Sequence, residues 1–301
     1  MRRRGRGHAG LTPGLQLITA AMWALSMGHP DASPQVWSAP PYYNGHRYCG
    51  EFLSSGGAFQ WVESAAPPTS SAASPVIEFV AAPNNPDGRL RKPARLGAGG
   101  HTVYDFAYAW PHFTASHDRA PLVGEDDIAL FTLSKLTGHA STRIGWALTK
   151  NKDVAGRLRQ WIGVNGGLPR ENQQRAIRML ADTAARGHDV IDFAAAEMRR
   201  RWAALQKAFA GSACVSLEAL EAPEKDAFSG EVRAPTPAYA WLKCSGAGGG
   251  CPDRLEAHGA RGRAGPRFGV SDEYVRVELL MNSATFDRLL PKLEAMARAP
   301  C

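Results

Sequence analysis

Four short strand-like runs in the first half of the chain stand among helical patterns, and that interleaving limits the folds open to it. Residues 76–80 (Val-Ile-Glu-Phe-Val), 102–106, 128–133 and 144–148 read as strands, short and bounded by turns such as Pro83-Asn-Asn-Pro-Asp-Gly88. A further strand is expected at 35–38, ending at the aromatic turn Ala39-Pro-Pro-Tyr-Tyr43. Helical spacing surrounds them. Residues 15–26 carry Leu15, Ile18, Met22 and Leu25 on one face. Helices are also expected at 153–162, at 169–185 with Ile177, Leu180 and Ala184 on one face, and at 190–209. Pro169 suits a first helical position, and the stripe Met198, Trp202, Leu205, Phe209 reads as core packing. Interleaved strands and helices imply an α/β fold with a doubly wound, mostly parallel sheet.

The last third alternates differently. Strands at 238–243 and 274–280 precede a helix at 285–297 that Pro291 is expected to interrupt, at roughly 3 kcal/mol unless the helix kinks. A smaller α+β portion therefore closes the chain. The expected division is a large domain over 1–200 and a small one over 201–301.

Charge and cysteines narrow the setting. The net charge is +7, with arginines clustered at Arg2, Arg3, Arg4, Arg6 and again at Arg254, Arg261, Arg263, Arg267. Neither cluster has aromatic interleaving or a binding motif, so no nucleic-acid partner is expected. The apolar stretch 15–27 is too short to span a bilayer, and no membrane role is expected. Five scattered cysteines do not make a disulfide framework. Cys244 and Cys251 can bridge a loop in an oxidising compartment; for a cytoplasmic protein, the expected setting, reduced thiols are the expectation. No ligand spacing suggests zinc, and no metal is expected.

In open α/β sheets a ligand sits outside the carboxyl ends of the strands. Three strand exits carry chemistry here: Asn85, Asp105 with Tyr108, and Ser134 with Lys135. Lys135 follows directly on an apolar run, and Arg143 lies eight positions on. A lysine amine can form an imine with an aldehyde cofactor, while a hydroxyl and a guanidinium can hold that cofactor's phosphate. This is the pattern expected of a pyridoxal-phosphate enzyme. Each exit alone has a bland reading, as a turn, a helix cap or a surface pair; their order and spacing carry the argument.

Val80-Ala-Ala-Pro-Asn-Asn-Pro-Asp-Gly88, Tyr104-Asp-Phe-Ala-Tyr-Ala-Trp-Pro-His-Phe-Thr114 and Leu130-Phe-Thr-Leu-Ser-Lys-Leu-Thr-Gly-His-Ala-Ser-Thr-Arg-Ile-Gly-Trp-Ala147 resemble the alliinase C-terminal domain family. So do Pro237-Ala-Tyr-Ala-Trp-Leu-Lys-Cys244 and the run from Arg267 to Val277. That family includes tryptophan aminotransferase-related enzymes and alliin lyases of the fold-type I pyridoxal-phosphate class. The resemblance implies that Lys135 holds the cofactor and moves the Cα proton, and that Asp105 faces the ring nitrogen. It implies that Asn85 and Tyr108 bond the ring oxygen, and that Ser134, Arg143 and the turn at Gly14 take the phosphate. Arg276 is expected to grip the substrate carboxylate, the alternative being a strand-edge surface charge. Tyr42 is expected to stack on the ring, the alternative being a loop tyrosine. His112 is read as a hydrogen-bonded structural residue, His139 is given no chemistry, and Trp110 and Trp146 are read as packing.

Two departures bear on function. Family members carry a segment upstream of the helix at Leu15 that this sequence is expected to lack, and Leu15 stands where the phosphate turn has a hydroxyl. One lost hydrogen bond to an anion costs roughly 1.5–3 kcal/mol, which weakens binding without abolishing it. The expected activity is transamination between an L-amino acid and a keto acid, both small-molecule partners, L-tryptophan to indole-3-pyruvate first, in a homodimer. The alternatives are C–S lysis of S-alkyl-cysteine sulfoxides and a catalytically silent homologue.

Overall fold

The computed structural model describes residues 7–9, 14–29, 31–57, 59–94, 99–115, 124, 127–186, 189–226, 229–246 and 249–301. Seven strands form the larger sheet: β1 (Gly7–Ala9), β2 (Gln35–Trp37), β3 (Gln60–Trp61), β4 (Val76–Ala81), β5 (His101–Asp105), β6 (Ile128–Thr132) and β7 (Gly145–Thr149). Their order across it is β1-β7-β6-β5-β4-β2-β3. The pairs among β3, β2, β4, β5 and β6 are parallel; β7 and β1 add antiparallel strands at one edge. The expected strand at 144–148 is thus real, but it returns against β6, with Thr132 opposite Gly145. The connection, residues 133–144, stays at one end of the sheet as a short helix (Leu133–Leu136) and a 3-10 turn (Ala140–Thr142). It never travels back along the sheet, as the crossover of a parallel return must.

The helices are α1 (Gly14–Ser26), α2 (Asn44–Ser54), α3 (Leu133–Leu136), α4 (Lys152–Val164), α5 (Arg170–Ala185), α6 (Asp189–Phe209), α7 (Cys251–Ala257) and α8 (Ser283–Arg298). One core lies between the large sheet and α1 and α4, where Leu17, Met22, Leu25, Ile77, Phe79, Ile128 and Leu158 are buried. Fully burying one such side chain contributes about 1.5–3 kcal/mol. The Asn151 side chain accepts from the Asp153 and Val154 amides and so starts α4. Arg157 of α4 then donates to the Ala24 carbonyl at 2.6 Å, satisfying an acceptor in the last turn of α1.

After α6 come the strands β8 (Val215–Leu217), β9 (Glu224–Lys225), β10 (Val232–Arg233), β11 (Tyr239–Cys244), β12 (Arg263–Ala264) and β13 (Tyr274–Glu278). Four of them form an antiparallel sheet in the order β12-β13-β11-β8, while β9 and β10 pair as a separate ribbon. The second core joins this sheet to α6 and α8, and it contains the expected stripe Met198, Trp202, Leu205, Phe209. The expected boundary at 200/201 falls inside α6.

Three expectations change. Helix α8 runs through Pro291 without a break; Pro291 and Asp287, whose carbonyl loses its helical donor, both face solvent, where water can bond it. Pro169 precedes α5 as its cap, and Ile177 and Leu180 of α5 are 65% and 44% exposed, so that face is not covered by this chain's described residues. The cysteines are paired: Cys214 with Cys301 and Cys244 with Cys251, at Cα separations of 5.2 and 5.1 Å, leaving Cys49 free. Reduced thiols are therefore replaced by two disulfides. Protein denatured and alkylated without reductant is expected to carry one label, on Cys49; five labels in the mass spectrum would remove the pairing.

Strand β4 is buried along its whole length, as a central parallel strand is, yet it contains Glu78. Both Glu78 oxygens lie 3.0 Å from the Ala94 amide that donates to them. Burial pushes its carboxyl from the ordinary 4.5 up to about 7. Between those values the folded state keeps a proton that the unfolded chain has released, so this stabilisation is full below the lower value and lost as pH rises through the upper one. Glu78→Gln is expected to flatten the fall in melting temperature across that window, and an unchanged slope would remove Glu78 as its source.

Candidate active site

The parallel strands β2, β4, β5 and β6 deliver their carboxyl ends to one side of the sheet, and a cavity of about 230 Å³ opens there. Its wall includes Gly14, Asn85, Asp105, Tyr108, Ser134, Lys135 and Arg143, seven residues expected from the sequence. The remainder of the expected phosphate turn, Gly10 to Pro13, lies outside the described residues.

Each wall group is held by its own local structure. After β4, Asn84 donates through Nδ2 to the Pro41 carbonyl at 2.9 Å and to Asp87 Oδ1 at 2.7 Å, fixing the turn that presents Asn85. Gly88 closes the turn at φ 76°, where a Cβ would also lie 2.4 Å from Pro237. At the end of β5, Asp105 Oδ1 accepts the Ala107 amide at 3.0 Å, and Oδ2 lies 3.1 Å from His46 Nε2. At the end of β6, Thr132 bonds the Ile144 carbonyl and accepts the Ser134 amide, which sets α3. The Lys135 carbonyl accepts from His112 Nε2 at 2.9 Å, the structural role expected of that histidine. Arg143 has φ 53°, a left-handed conformation that a non-glycine residue adopts at a cost, and it lines the cavity. Trp110 and Trp146 pack with Phe131 as expected.

Burial holds the Lys135 amine below the ordinary lysine range; Glu278 opposes this, and Arg276, Arg143 and Arg263 reinforce it. An amine so placed is more readily neutral and nucleophilic. Its Nζ lies 5.4 Å from the centre of the Tyr108 ring. Burial pushes the Tyr108 phenol well up, with Tyr239 adding to the shift, so it stays a hydrogen-bond donor.

Two expected positions differ. Tyr42 does not line the cavity: its hydroxyl donates to Glu63 Oε1 at 2.5 Å and its ring meets Trp61 edge-on. Its neighbour Tyr43 lines the cavity instead, because the backbone there is extended and successive side chains diverge. Gly45 makes room for that ring, since a Cβ there would lie 2.3 Å from it. Arg276 stands one layer behind the wall, donating from Nη1 to Asn85 Oδ1 at 2.7 Å, with its guanidinium carbon 3.8 Å from the Tyr239 ring centre. It is 4% exposed, so the alternative of a strand-edge surface charge does not hold.

Sequence reasoning missed Tyr43, His46 and Tyr239. His46 is fully buried on α2, whose buried positions are Asn44, Gly45, His46, Cys49 and Gly50, so no run of large apolar residues signals them. Tyr239 lies in a quoted motif, but nothing in one sequence pairs it with Tyr108. A buried amine, a carboxylate, a phenol, and a hydroxyl with a guanidinium beside the start of α1 suit a ligand with an aldehyde, an aromatic nitrogen and a phosphate.

A family model described as Allinase (Alliinase_C) matches residues 9–297. Tryptophan aminotransferase-related protein 3 of Arabidopsis thaliana is 33% identical over 288 residues, 93% of this chain and 61% of that protein. Tryptophan aminotransferase-related protein 2 of Oryza sativa subsp. japonica is 35% identical, covering 95% of this chain and 59% of that protein. Alliin lyase 1 of Allium sativum is 32% identical, covering 94% and 60% respectively. The chain thus spans some three-fifths of the length of these relatives. A single mutant of Thermus thermophilus aspartate aminotransferase aligns with a TM-score of 0.71 at 16% identity, covering 95% of this chain and 75% of that one. An aminotransferase from Staphylococcus aureus gives 0.70 at 18%, covering 97% and 77%. The fold is that of the aspartate aminotransferases, and the chain belongs to the alliinase C-terminal family.

Proposed function

We propose, from that family membership, that the chain is a pyridoxal-phosphate-dependent aminotransferase acting on an L-amino acid, with L-tryptophan and a keto acid as the favoured pair. The observation that carries this is the meeting of Lys135, Asp105, Ser134 and Arg143 on one cavity at the strand ends. When bound, pyridoxal phosphate supplies an electron-accepting ring that lets a Cα proton leave. Asp105 would hold the ring-nitrogen proton, Tyr108 and Asn85 the ring oxygen, and Ser134, Arg143 and Gly14 the phosphate. Lys135 would carry the proton between carbon atoms, and Arg276 would grip the carboxylate with its planar fork. Tyr43 takes the ring-stacking place.

The similarity to alliin lyase 1 favours C–S lysis as a second reading. Both reactions start with loss of the same proton. Purified protein supplied with pyridoxal phosphate is tested with tryptophan plus a keto acid, and separately with an S-alkyl-cysteine sulfoxide. Indolepyruvate supports transamination, pyruvate with ammonia supports lysis, and neither product from a yellow protein overturns both. A homodimer and a role in auxin biosynthesis belong to the same reading, whereas the expected cytoplasmic setting does not sit with two disulfides, which persist in an oxidising compartment. A division into a large and a small domain is part of that reading too: the seven-stranded and four-stranded sheets support two domains, while the expected split into 1–200 and 201–301 would cut α6. Among the described residues no helix is long and apolar enough to cross a membrane.

A further inference from the structure

We propose that Tyr239 is a positioning residue that joins the two recognition ends of the site, its hydroxyl orienting Tyr108 and its ring face seating Arg276. The inference rests on the function proposed above and deepens it. Tyr239 opens β11 and is buried, with its hydroxyl bonded to that of Tyr108. Its register partner is Glu278, while Arg276 pairs with Trp241 two residues along. Tyr239 and Arg276 are therefore diagonal neighbours on one face of the sheet, within reach of an aromatic ring. The guanidinium carbon sits 3.8 Å from the Tyr239 ring centre and 5.3 Å from that of Phe268.

The bond between the two phenols has a chemical direction once Tyr108 serves the ring oxygen of a cofactor. A phenol has one proton, so a Tyr108 that donates to the cofactor must accept from Tyr239. Accepting that bond strengthens Tyr108 as a donor. The Arg276 charge over the Tyr239 ring favours the same direction, since a nearby cation makes a phenol a better donor. Meanwhile the ring holds the guanidinium plane, whose Nη1 is tied to Asn85 on the cavity wall. One side chain thus couples the cofactor's oxygen to the substrate's carboxylate, across the gap between the two sheets.

Two variants separate the halves. Y239F keeps the ring and loses the hydroxyl; it is expected to weaken pyridoxal phosphate binding by the apoprotein about fivefold and to move the pH midpoint of the loaded protein's visible band. Binding of indole-3-propanoate to the apoprotein, a carboxylate probe read by calorimetry, is expected to stay within about twofold of the parent. Y239L loses both features and is expected to weaken that probe about tenfold. A Y239F protein with parental cofactor affinity and band midpoint overturns the hydroxyl role. A folded Y239L protein that holds the probe as well as Y239F overturns the ring role. Should Y239L fail to fold, the Y108F/Y239F cycle decides, because additive effects on cofactor affinity overturn the coupling. A parent that takes up no pyridoxal phosphate overturns the proposed function instead, and the probe arm still tests the ring role.

Discussion

Lys135→Ala is expected to leave a colourless protein in the presence of pyridoxal phosphate and to lower turnover at least about a thousandfold. Two losses combine. The amine that would bond the cofactor disappears, and so does the group that would carry the proton. The surroundings do not depend on that amine: α3 is set by Thr132 and by the His112 bond to the Lys135 carbonyl, both of which an alanine retains. A folded but inactive variant is therefore the expected result, with a melting temperature close to the parent's. Hydride reduction followed by peptide mapping should mark residue 135 in the parent and leave the variant unmarked. Turnover within about tenfold of the parent would show that the chemistry resides elsewhere.

The second large effect is that of Asp105→Asn, for which a fall in turnover of about 100- to 1,000-fold is expected. The carboxamide keeps the size of the side chain and can still accept the Ala107 amide, so the end of β5 is preserved. What goes is the negative charge, bonded on one oxygen to His46 Nε2. Without it the ring nitrogen of a bound cofactor holds its proton less well, and electrons released at Cα have less to stabilise them. A cofactor analogue with a permanent positive charge on that nitrogen should recover part of the lost rate. If the analogue recovers nothing, the carboxylate acts through folding and not through its charge.

Much of this site was legible because parallel strands end in a predictable place. Asn85 and Lys135 come shortly after apolar runs and Asp105 ends a short strand, so reading the strands placed all three at one end of the sheet. A small error in any strand boundary did no harm, because the polar residues stay at the same end of the sheet. Adjacent tyrosines gave no such margin. In extended backbone a shift of one position sends a side chain to the opposite side. Nothing in Pro41-Tyr-Tyr43 distinguishes the ring that meets Trp61 from the one that meets the cavity. The antiparallel return of β7 was equally hidden, since a strand pattern has no direction. The Cys244–Cys251 bridge was legible as an option, set aside only on compartment, whereas Cys214 and Cys301 are 87 positions apart and meet only because α8 packs back on α6. Helix α5 shows the converse limit, where a correct helical pattern with an apolar face does not reveal what covers it.

With four cysteines paired, Cys49 becomes a natural clock for the molecule. Its sulfur lies 3.8 Å from the carbonyl of Leu15, which also lines the cavity, and burial pushes its thiol up to about 11. A thiol reagent can reach it only when α1 and α2 part. The labelling rate of native protein therefore times that opening, and a ligand that fills the adjoining space should slow it.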